Sequence, residues 1–219
     1  MDGSYRLVRS ASTAGEFHAR AVPEPAPLEI WWHHVTSPAL VLGSTQPADG
    51  VDRGACARAG VDVVRRRSGG GAVLLVPGEV TWIDVIVPVG SPGWADDVHA
   101  PMMWVGRHLA GLLGELLGER TVSVHEGPMV STEWSRVVCF DGLGAGEVLL
   151  DGAKLVGISQ RRTRHAARLQ CCWYSEYDPA VLVGLFEPAV RPPITDLQPV
   201  ATVSRAIADA IPAALAARL

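Results

Sequence analysis

The chain has 219 residues, of which 48% are hydrophobic and 19% charged, and its formal net charge at pH 7 is -4. This composition excludes a disordered protein and predicts a sizeable core, most simply within one domain. The negative balance argues against nucleic-acid binding, because a surface that follows phosphates needs an excess of Lys and Arg.

The N-terminal residues lack the apolar segment of a signal peptide, and no run of about 18 apolar residues could span a membrane. We therefore expect a cytoplasmic protein with no membrane partner. The cysteines should then be free thiols, and they lack the Cys-x-x-Cys spacing of a zinc site. No metal is predicted. The cysteines are Cys56, Cys139, Cys171 and Cys172.

The first part of the chain reads as short helices and strands. In order, we predict a helix after the cap-like sequence 12–16, strands at 28–34 and 39–42, and a helix at 52–59. His33 and His34 are neighbours on a strand and point to opposite faces, so they cannot easily share a metal. We expect both histidines at the surface.

A glycine-rich segment, Arg65-Arg66-Arg67-Ser68-Gly69-Gly70-Gly71-Ala72-Val73, lies between two apolar runs. Three consecutive glycines let the main chain turn tightly and approach a ligand, so that bare amides become a binding surface. The arginines add donors suited to a carboxylate, a phosphate or an acyl carbonyl. The alternative is a glycine-rich hairpin with a solvated arginine edge. The segment matches neither a P-loop nor a dinucleotide fingerprint.

Beyond the glycines, we expect Ala72–Val76 to pair with Val80–Val89 across the turn at Pro77-Gly78. A long amphipathic helix follows and ends at Gly118. Its apolar stripe should consist of Val98, Met102, Val105, Leu109, Leu112 and Leu116.

The clearest local signal is the segment 147–157, in which two β-rich runs are joined by Asp151-Gly152. Asp-Gly accepts positive φ, so this segment predicts a tight hairpin. Lys154 then begins the return strand. Taken alone, this lysine is most simply an exposed charge at the edge of a sheet.

Three motifs together resemble the lipoate-protein ligase and octanoyltransferase superfamily, whose fold is related to that of biotin-protein ligases. They are Gly43-x-x-Gln46, the glycine-rich segment 65–73 and Asp151–Arg162, in the family's order over roughly residues 12–185. The Gly-Arg-Gly-Arg signature of biotin ligases is missing. The resemblance implies an α+β fold with a mixed β-sheet and flanking helices, like a class II synthetase.

The resemblance also implies the domain boundaries and the site. We expect a catalytic domain over residues 1–190 and a C-terminal loop and helical extension over 191–219, packed on it and interrupted near Pro212. Lys154 is implied to contact the acyl carbonyl or carboxylate. The other residues implied to bind the acyl group and its activated end are Gly43, Gln46, Arg65, Arg66, Ser68, Gly69, Gly70, Gly71, Ala72, Gly157 and Ser159.

Cys139-Phe140 lies 15 residues before Lys154, an offset similar to that in the cysteine-dependent octanoyltransferases of the family. A nearby ammonium would favour the thiolate that attacks a thioester. In this interpretation, Cys139 takes octanoyl from acyl carrier protein. It then passes the group to a lysine on a lipoyl carrier domain of a 2-oxoacid dehydrogenase or on the glycine-cleavage H protein. No cofactor is needed.

Two alternatives remain open. The first is an ATP-dependent lipoate-protein ligase, which uses ATP and magnesium to convert lipoate to lipoyl-AMP. In this alternative Lys154 neutralises the carboxylate and phosphate, and Cys139 has no catalytic role. In a non-catalytic acyl-binding paralogue there is no turnover. Departures from the family pattern, including Gln170-Cys171 in place of a His-Gly pair, keep the second alternative open.

Overall fold

The computed structural model describes residues 4–219. Its strands are β1 (Arg6–Ser12), β2 (Glu29–Val35), β3 (Ala39–Leu42), β4 (Asp62–Arg65), β5 (Val73–Leu75), β6 (Val80–Pro88), β7 (Val122–Val124), β8 (Val148–Leu150), β9 (Ala153–Arg162) and β10 (Ala166–Tyr174). Its α-helices are α1 (Ala14–Ala19), α2 (Arg53–Arg58), α3 (Ala100–Leu117), α4 (Pro179–Val183) and α5 (Arg205–Arg218).

The strands form a large and a small sheet. The large sheet has the order β1-β2-β6-β10-β9-β8-β7, and the small sheet has the order β4-β3-β5. Strands β1 and β2 run parallel, as do β3 and β4, and the remaining pairs are antiparallel. This architecture confirms the expected α+β class with a mixed sheet and flanking helices.

Each face of the large sheet packs on a different layer. On β10, Leu169, Cys171 and Trp173 join the core formed with α3 and α5, whereas Cys172 and Tyr174 pack toward the small sheet. Successive side chains on a strand point to opposite faces, which produces this division. The space between the two sheets is therefore lined by alternate residues of the central strands.

The predicted pairing of Ala72–Val76 with Val80–Val89 is wrong. Strand β5 pairs with β3 in the small sheet, whereas β6 lies between β2 and β10 in the large sheet. The Pro77-Gly78 segment is a turn, but it carries the chain from one sheet to the other. Both strands are buried, so each is stabilised more by packing within its own sheet than by pairing with the other in a hairpin.

Helix α1 begins as predicted. Thr13 accepts a hydrogen bond from the amide of Glu16, and the Glu16 carboxylate accepts one from the amide of Thr13. This reciprocal capping box satisfies two amides that the first turn would otherwise leave unpaired.

Helix α3 carries much of the predicted stripe, although the ends of the stripe are wrong. Val98 precedes the helix and is 48% exposed, and Leu116 is 39% exposed. Leu113 is buried instead. The helix packs closely against the main chain of the loop that precedes β8. A Cβ on Gly106 would lie 1.9 Å from the carbonyl oxygen of Gly146, so this close approach requires glycine.

The surface position expected for His33 is also wrong, whereas His34 is exposed. His33 Nε2 lies 2.7 Å from Asp84 Oδ2, and Arg168 Nε donates to the same oxygen at 2.7 Å. Burial alone would raise the pKa of Asp84, but His33 and Arg168 outweigh it and hold that pKa below its ordinary value. A buried carboxylate thus explains why this histidine is inside.

Arg168 also connects helix α1 to the large sheet. Its guanidinium donates to the carbonyl oxygens of Phe17 at 2.8 Å and Arg20 at 2.7 Å. The end of α1 is thereby held over β6 and β10.

Helix α5 runs without interruption through Pro212, contrary to the break expected there. Proline removes one hydrogen bond from a helix. The buried face of α5, which includes Ile211 and Leu215 in the main core, offsets that loss. No helix within residues 4–219 has both the length and the apolar character needed to cross a membrane.

Candidate active site

The hairpin that carries Lys154 has the predicted turn. Asp151 has a φ of 51° and Gly152 a φ of 84°, and β8 pairs with β9 on either side. Lys154 is only 5% exposed, so it is not a solvated edge charge. The hairpin instead delivers an ammonium group into the protein.

The glycine loop, residues 66–72, lies against the turn at Gly43. A Cβ on Gly43 would lie 1.8 Å from the carbonyl oxygen of Gly70, so only glycine fits there. Gln46 accepts a hydrogen bond from the Gly43 amide at 3.2 Å and donates to the Val137 carbonyl at 3.1 Å. Gly43 and Gln46 therefore shape and brace the loop from beneath.

The two arginines predicted to bind substrate both donate to the protein main chain. Arg65 Nη1 donates to the carbonyl oxygens of Gly43 at 2.8 Å and Gln46 at 2.7 Å. Arg66 Nη2 donates to those of Gly69 at 2.8 Å and Gly71 at 2.9 Å. Arg65 joins the loop to the Gly43 turn, and Arg66 closes the loop on itself.

Gly69 and Gly70 are exposed, whereas Gly71 is buried against neighbouring main chain. Within residues 4–219, the N–H groups of Gly69, Gly70 and Gly71 donate no hydrogen bond to the protein, whereas the next amide, that of Ala72, donates to Val137 O at 2.8 Å. Unpaired amides of this kind attract anions and developing oxyanions.

Gly71 is a position where a side chain cannot fit. A Cβ there would lie 2.8 Å from Ser135 O and 2.9 Å from Cys139 N, whereas one on Gly69 would meet nothing within 4 Å. We expect Gly71→Ala to lower the activity of the protein at least ~10-fold, because the loop must move away from Cys139. Gly69→Ala is the matched control and should keep most of the activity. Steady-state kinetics of both variants checks this, and equal activities would contradict it.

Cys139 lies beside the glycine loop in the fold, although the two are far apart in the sequence. Its amide donates to Ala72 O at 3.0 Å, and its Sγ is 3.4 Å from Arg66 Nη2. The sequence pointed to Lys154 as the cation beside this thiol. The structure places the Arg66 guanidinium there, where its charge can balance that of a thiolate.

Lys154 Nζ is surrounded by oxygen atoms. It donates to the carbonyl oxygens of Cys139 at 3.1 Å and Gly142 at 2.9 Å, and it lies 2.7 Å from Glu147 Oε2. An ammonium has three protons, and each has an acceptor here. Lys154 therefore fixes the turn that carries Cys139.

Glu147 is a site residue that the sequence analysis did not identify. Its carboxylate accepts hydrogen bonds from the amides of Gly144 at 2.7 Å and Ile158 at 3.0 Å, in addition to its ion pair with Lys154. A buried charge needs such partners. The only signal in the sequence was an acidic residue at the start of an apolar hairpin.

An apolar cavity with a volume of about 40 Å³ lies between the two sheets. We call it the sheet cavity. Its lining consists of His18, Val41, Arg66, Val73, Leu75, Trp82, Cys139, Phe140, Gly157, Ile158, Ser159, Gln170 and Cys172.

A second opening, which we call the loop cleft, lies beyond the glycine loop. It is lined by Gly69–Gly71, Glu147 and Lys154, and by loop residues that include Met129. Cys139, Ile158 and Ser159 line both spaces. The thiol thus stands between an apolar cavity and a cleft that contains a cation and free amides.

Gly157 and Ser159 line the sheet cavity, and Ser68 lies beside Ser159. Ser68 Oγ is 3.0 Å from Ser159 Oγ and donates to Gln170 Oε1 at 3.2 Å. Gly157 leaves room for an aromatic ring, because a Cβ there would lie 3.0 Å from Phe140 Cε2. The predicted residues thus converge on one region. Their individual roles stay predictions. Within residues 4–219, no three His, Cys, Asp or Glu side chains are grouped to hold a metal ion.

The family model of the lipoyl protein ligase A/B catalytic domain matches residues 16–217. No curated protein sequence matches the chain. Among solved structures, the fold is similar to that of a Thermoplasma acidophilum protein with bound lipoic acid. The TM-score is 0.68 at 15% identity, over 98% of this chain and 84% of that one.

Two further structures share the fold. Lipoate-protein ligase A bound with ATP has a TM-score of 0.68 at 16% identity, over 98% of this chain and 84% of that one. A bi-partite lipoate protein ligase, described with its E2 lipoyl domain from Thermoplasma acidophilum, has a TM-score of 0.64 at 16% identity, over 97% and 82%. Because the family match covers the glycine loop, Cys139 and Lys154, this protein belongs to the lipoyl protein ligase A/B catalytic domain family and is a lipoyl transferase or a lipoate-protein ligase.

Proposed function

We propose that this protein transfers an octanoyl or lipoyl group to a lysine of a lipoyl carrier domain through a thioester on Cys139. The observation that carries the proposal is the position of the Cys139 thiol. It lines both the sheet cavity and the loop cleft, and its Sγ lies 3.4 Å from the Arg66 guanidinium.

The first step exchanges one thioester for another. The Cys139 thiolate attacks the carbonyl carbon of an acyl thioester, the bond to the donor sulfur breaks, and the donor leaves as a thiolate. The acyl chain occupies the sheet cavity, whose side walls include Val41, Val73 and Leu75. The free amides of the glycine loop lie beside the thiol and can stabilise the oxyanion of the tetrahedral intermediate.

The second step forms the amide. The neutral amine of the acceptor lysine enters through the loop cleft and attacks the Cys139 thioester. The carbon–sulfur bond breaks, the Cys139 sulfur leaves as a thiolate, and the amine loses one proton to solvent. Lys154 and Glu147 hold the Cys139 turn during both steps, because Lys154 Nζ bonds the carbonyl oxygens of Cys139 and Gly142.

Acyl carrier protein as donor, and the lipoyl domains of 2-oxoacid dehydrogenases or the glycine-cleavage H protein as acceptors, complete the proposal. The fold shared with a ligase described together with its E2 lipoyl domain supports a carrier domain as the acceptor. The reaction uses no ATP, because the donor thioester is already activated.

An ATP-dependent ligase is the second candidate, and one observation favours it. The unpaired amides of Gly69–Gly71 and the ammonium of Lys154 line the same cleft, which suits the phosphate of an acyl-adenylate. The similar fold of a ligase bound with ATP agrees with this. In that case ATP and magnesium would activate a free acid before transfer, and Cys139 would be dispensable.

Intact-mass spectrometry separates the two candidates. We expect an octanoyl adduct on Cys139 when the protein is mixed with octanoyl acyl carrier protein in the absence of ATP. The adduct should disappear when a lipoyl domain is added, and the domain should gain the same mass. Formation of acyl-adenylate from lipoate and ATP, with no adduct on Cys139, would assign the ligase reaction instead.

A further inference from the structure

The sheet cavity contains a histidine that the proposed reaction does not use. The His18 ring stacks on Trp82, with ring centroids 4.6 Å apart and an angle of 30° between the planes. Burial lowers the pKa of His18 to about 3, so the imidazole is neutral near pH 7. The cavity around it is otherwise lined mainly by apolar side chains.

The hydrogen bonds around His18 determine which nitrogen carries its proton. Ser68 Oγ donates to Gln170 Oε1, and the amide nitrogen of Gln170 faces His18. Gln170 Nε2 then lies 3.3 Å from His18 Nδ1 and donates to it. A neutral imidazole that accepts at Nδ1 is protonated at Nε2.

The Nε2–H group of His18 has no acceptor in the protein. Within residues 4–219, the hydrogen bond to Gln170 is the only one made by the His18 side chain. His18 Nε2 is not one of the fully buried side-chain atoms that lack a hydrogen-bond partner, so it is accessible. A donor is therefore available to a ligand in the sheet cavity.

The strand register separates the side of the cavity floor under Phe140 from the side under His18. Cys172 on β10 lies opposite Gly157 on β9 and opposite Trp82 on β6, so the three residues form a row across the floor. Phe140, the neighbour of Cys139, covers Gly157, and His18 covers Trp82. The two ends are two strand spacings apart, about 10 Å.

We infer that the acyl group held in the sheet cavity carries a hydrogen-bond-accepting heteroatom at the end remote from its carbonyl, and that His18 recognises this atom. His18 is thus a specificity-determining residue. The inference rests on the proposed function, because it assumes that the acyl carbonyl is at Cys139. Of the two acyl groups under consideration, it selects lipoyl, whose ring sulfurs are weak acceptors, over octanoyl, which ends in hydrocarbon.

The energetic reason is the cost of an unpaired donor. An N–H group shut into an apolar cavity by a bound hydrocarbon loses its hydrogen bonds to water, whereas a sulfur at this position replaces them in part. A site built with a polar group discriminates most strongly against the analogue that lacks the partner atom. Because sulfur is a weak acceptor, the preference should be modest.

A test compares lipoate with 5-cyclopentylpentanoate, which has the same ring size and chain length but no sulfur. Both acids are supplied as N-acetylcysteamine thioesters, and the rate of acylation of Cys139 is followed by intact mass. We expect the wild-type protein to react about fivefold faster with the lipoyl thioester. In His18→Phe, which keeps a ring on Trp82 but removes the donor, the ratio should fall to about one.

The outcomes distinguish this inference from the proposed function. Equal rates with the two thioesters in the wild-type protein would overturn the role of His18 and leave the thioester mechanism intact. A fivefold ratio that persists in His18→Phe would also overturn the role of His18 and leave the thioester mechanism intact. The absence of any acylation of Cys139 in the wild-type protein would overturn both. The wild-type comparison needs no variant, so it stands even where His18→Phe folds poorly.

Discussion

Replacement of Cys139 by alanine is expected to reduce acyl transfer at least ~1000-fold, because the variant has no sulfur to form the thioester. Removing a covalent nucleophile leaves only the rate enhancement from binding and from the oxyanion-stabilising amides. The measurement is the steady-state rate of octanoyl transfer from acyl carrier protein to a lipoyl domain, with no ATP present.

Cys56→Ala is the matched control for this variant. Cys56 is also a free thiol, but it is buried in a separate cluster beneath the small sheet. The Cys56→Ala variant should lose little activity, because the Cys56 sulfur only fills space in that cluster. If Cys139→Ala transferred octanoyl at the wild-type rate, the thioester mechanism would be wrong and Cys139 would only line the cavity.

The second large effect is on stability. Lys154→Met should lower the free energy of unfolding by about 3–5 kcal/mol, because it leaves the Glu147 carboxylate buried without its cation. The side chains of Lys154 and Glu147 are 5% and 6% exposed. Two carbonyl oxygens, those of Cys139 and Gly142, also lose their donor. Urea unfolding of the variant and the wild-type protein measures the difference.

A double variant isolates the ion pair from the other losses. Lys154→Met combined with Glu147→Gln should recover part of the stability, because no charge then remains buried and uncompensated. The exposed pair Arg107–Glu126, at 62% and 60% exposure, is the control. Arg107→Ala should cost less than about 1 kcal/mol. A Lys154→Met protein as stable as Arg107→Ala would show that the buried pair contributes little.

The local elements of this protein were readable from its sequence. Asp151-Gly152 specifies a tight turn because both residues tolerate positive φ, and Thr13 with Glu16 specifies a helix start because they cap each other. These features depend on residues a few positions apart. The strands at 28–34 and 39–42 were located for the same reason, within a residue or so of their bounds.

Partners distant in sequence were not readable. The residues next to His33 in the sequence do not indicate whether its side chain is exposed or buried. It is buried because it pairs with Asp84, which lies 51 residues away. Likewise, no pattern near Val73–Leu75 indicates that β5 pairs with β3 rather than with β6. The choice between sheets depends on the total apolar surface that each arrangement buries.

The candidate site shows the same division. Motif order pointed to the glycine loop and Lys154, and the offset from Lys154 pointed to Cys139, because the chemistry of each depends on its residue type. It could not assign the cation beside the thiol, which is Arg66 at 3.4 Å, or the carboxylate that pairs with Lys154, which is Glu147.

By itself, the sequence determined which groups the site contains, since an amide-rich loop, a thiol and an amine follow from residue identity. Only the tertiary structure decided which of them face one another and which are already occupied by the protein. The physical reason is that hydrogen bonds and ion pairs act over a few ångströms. Residues far apart in the chain reach that range only after the two sheets have packed.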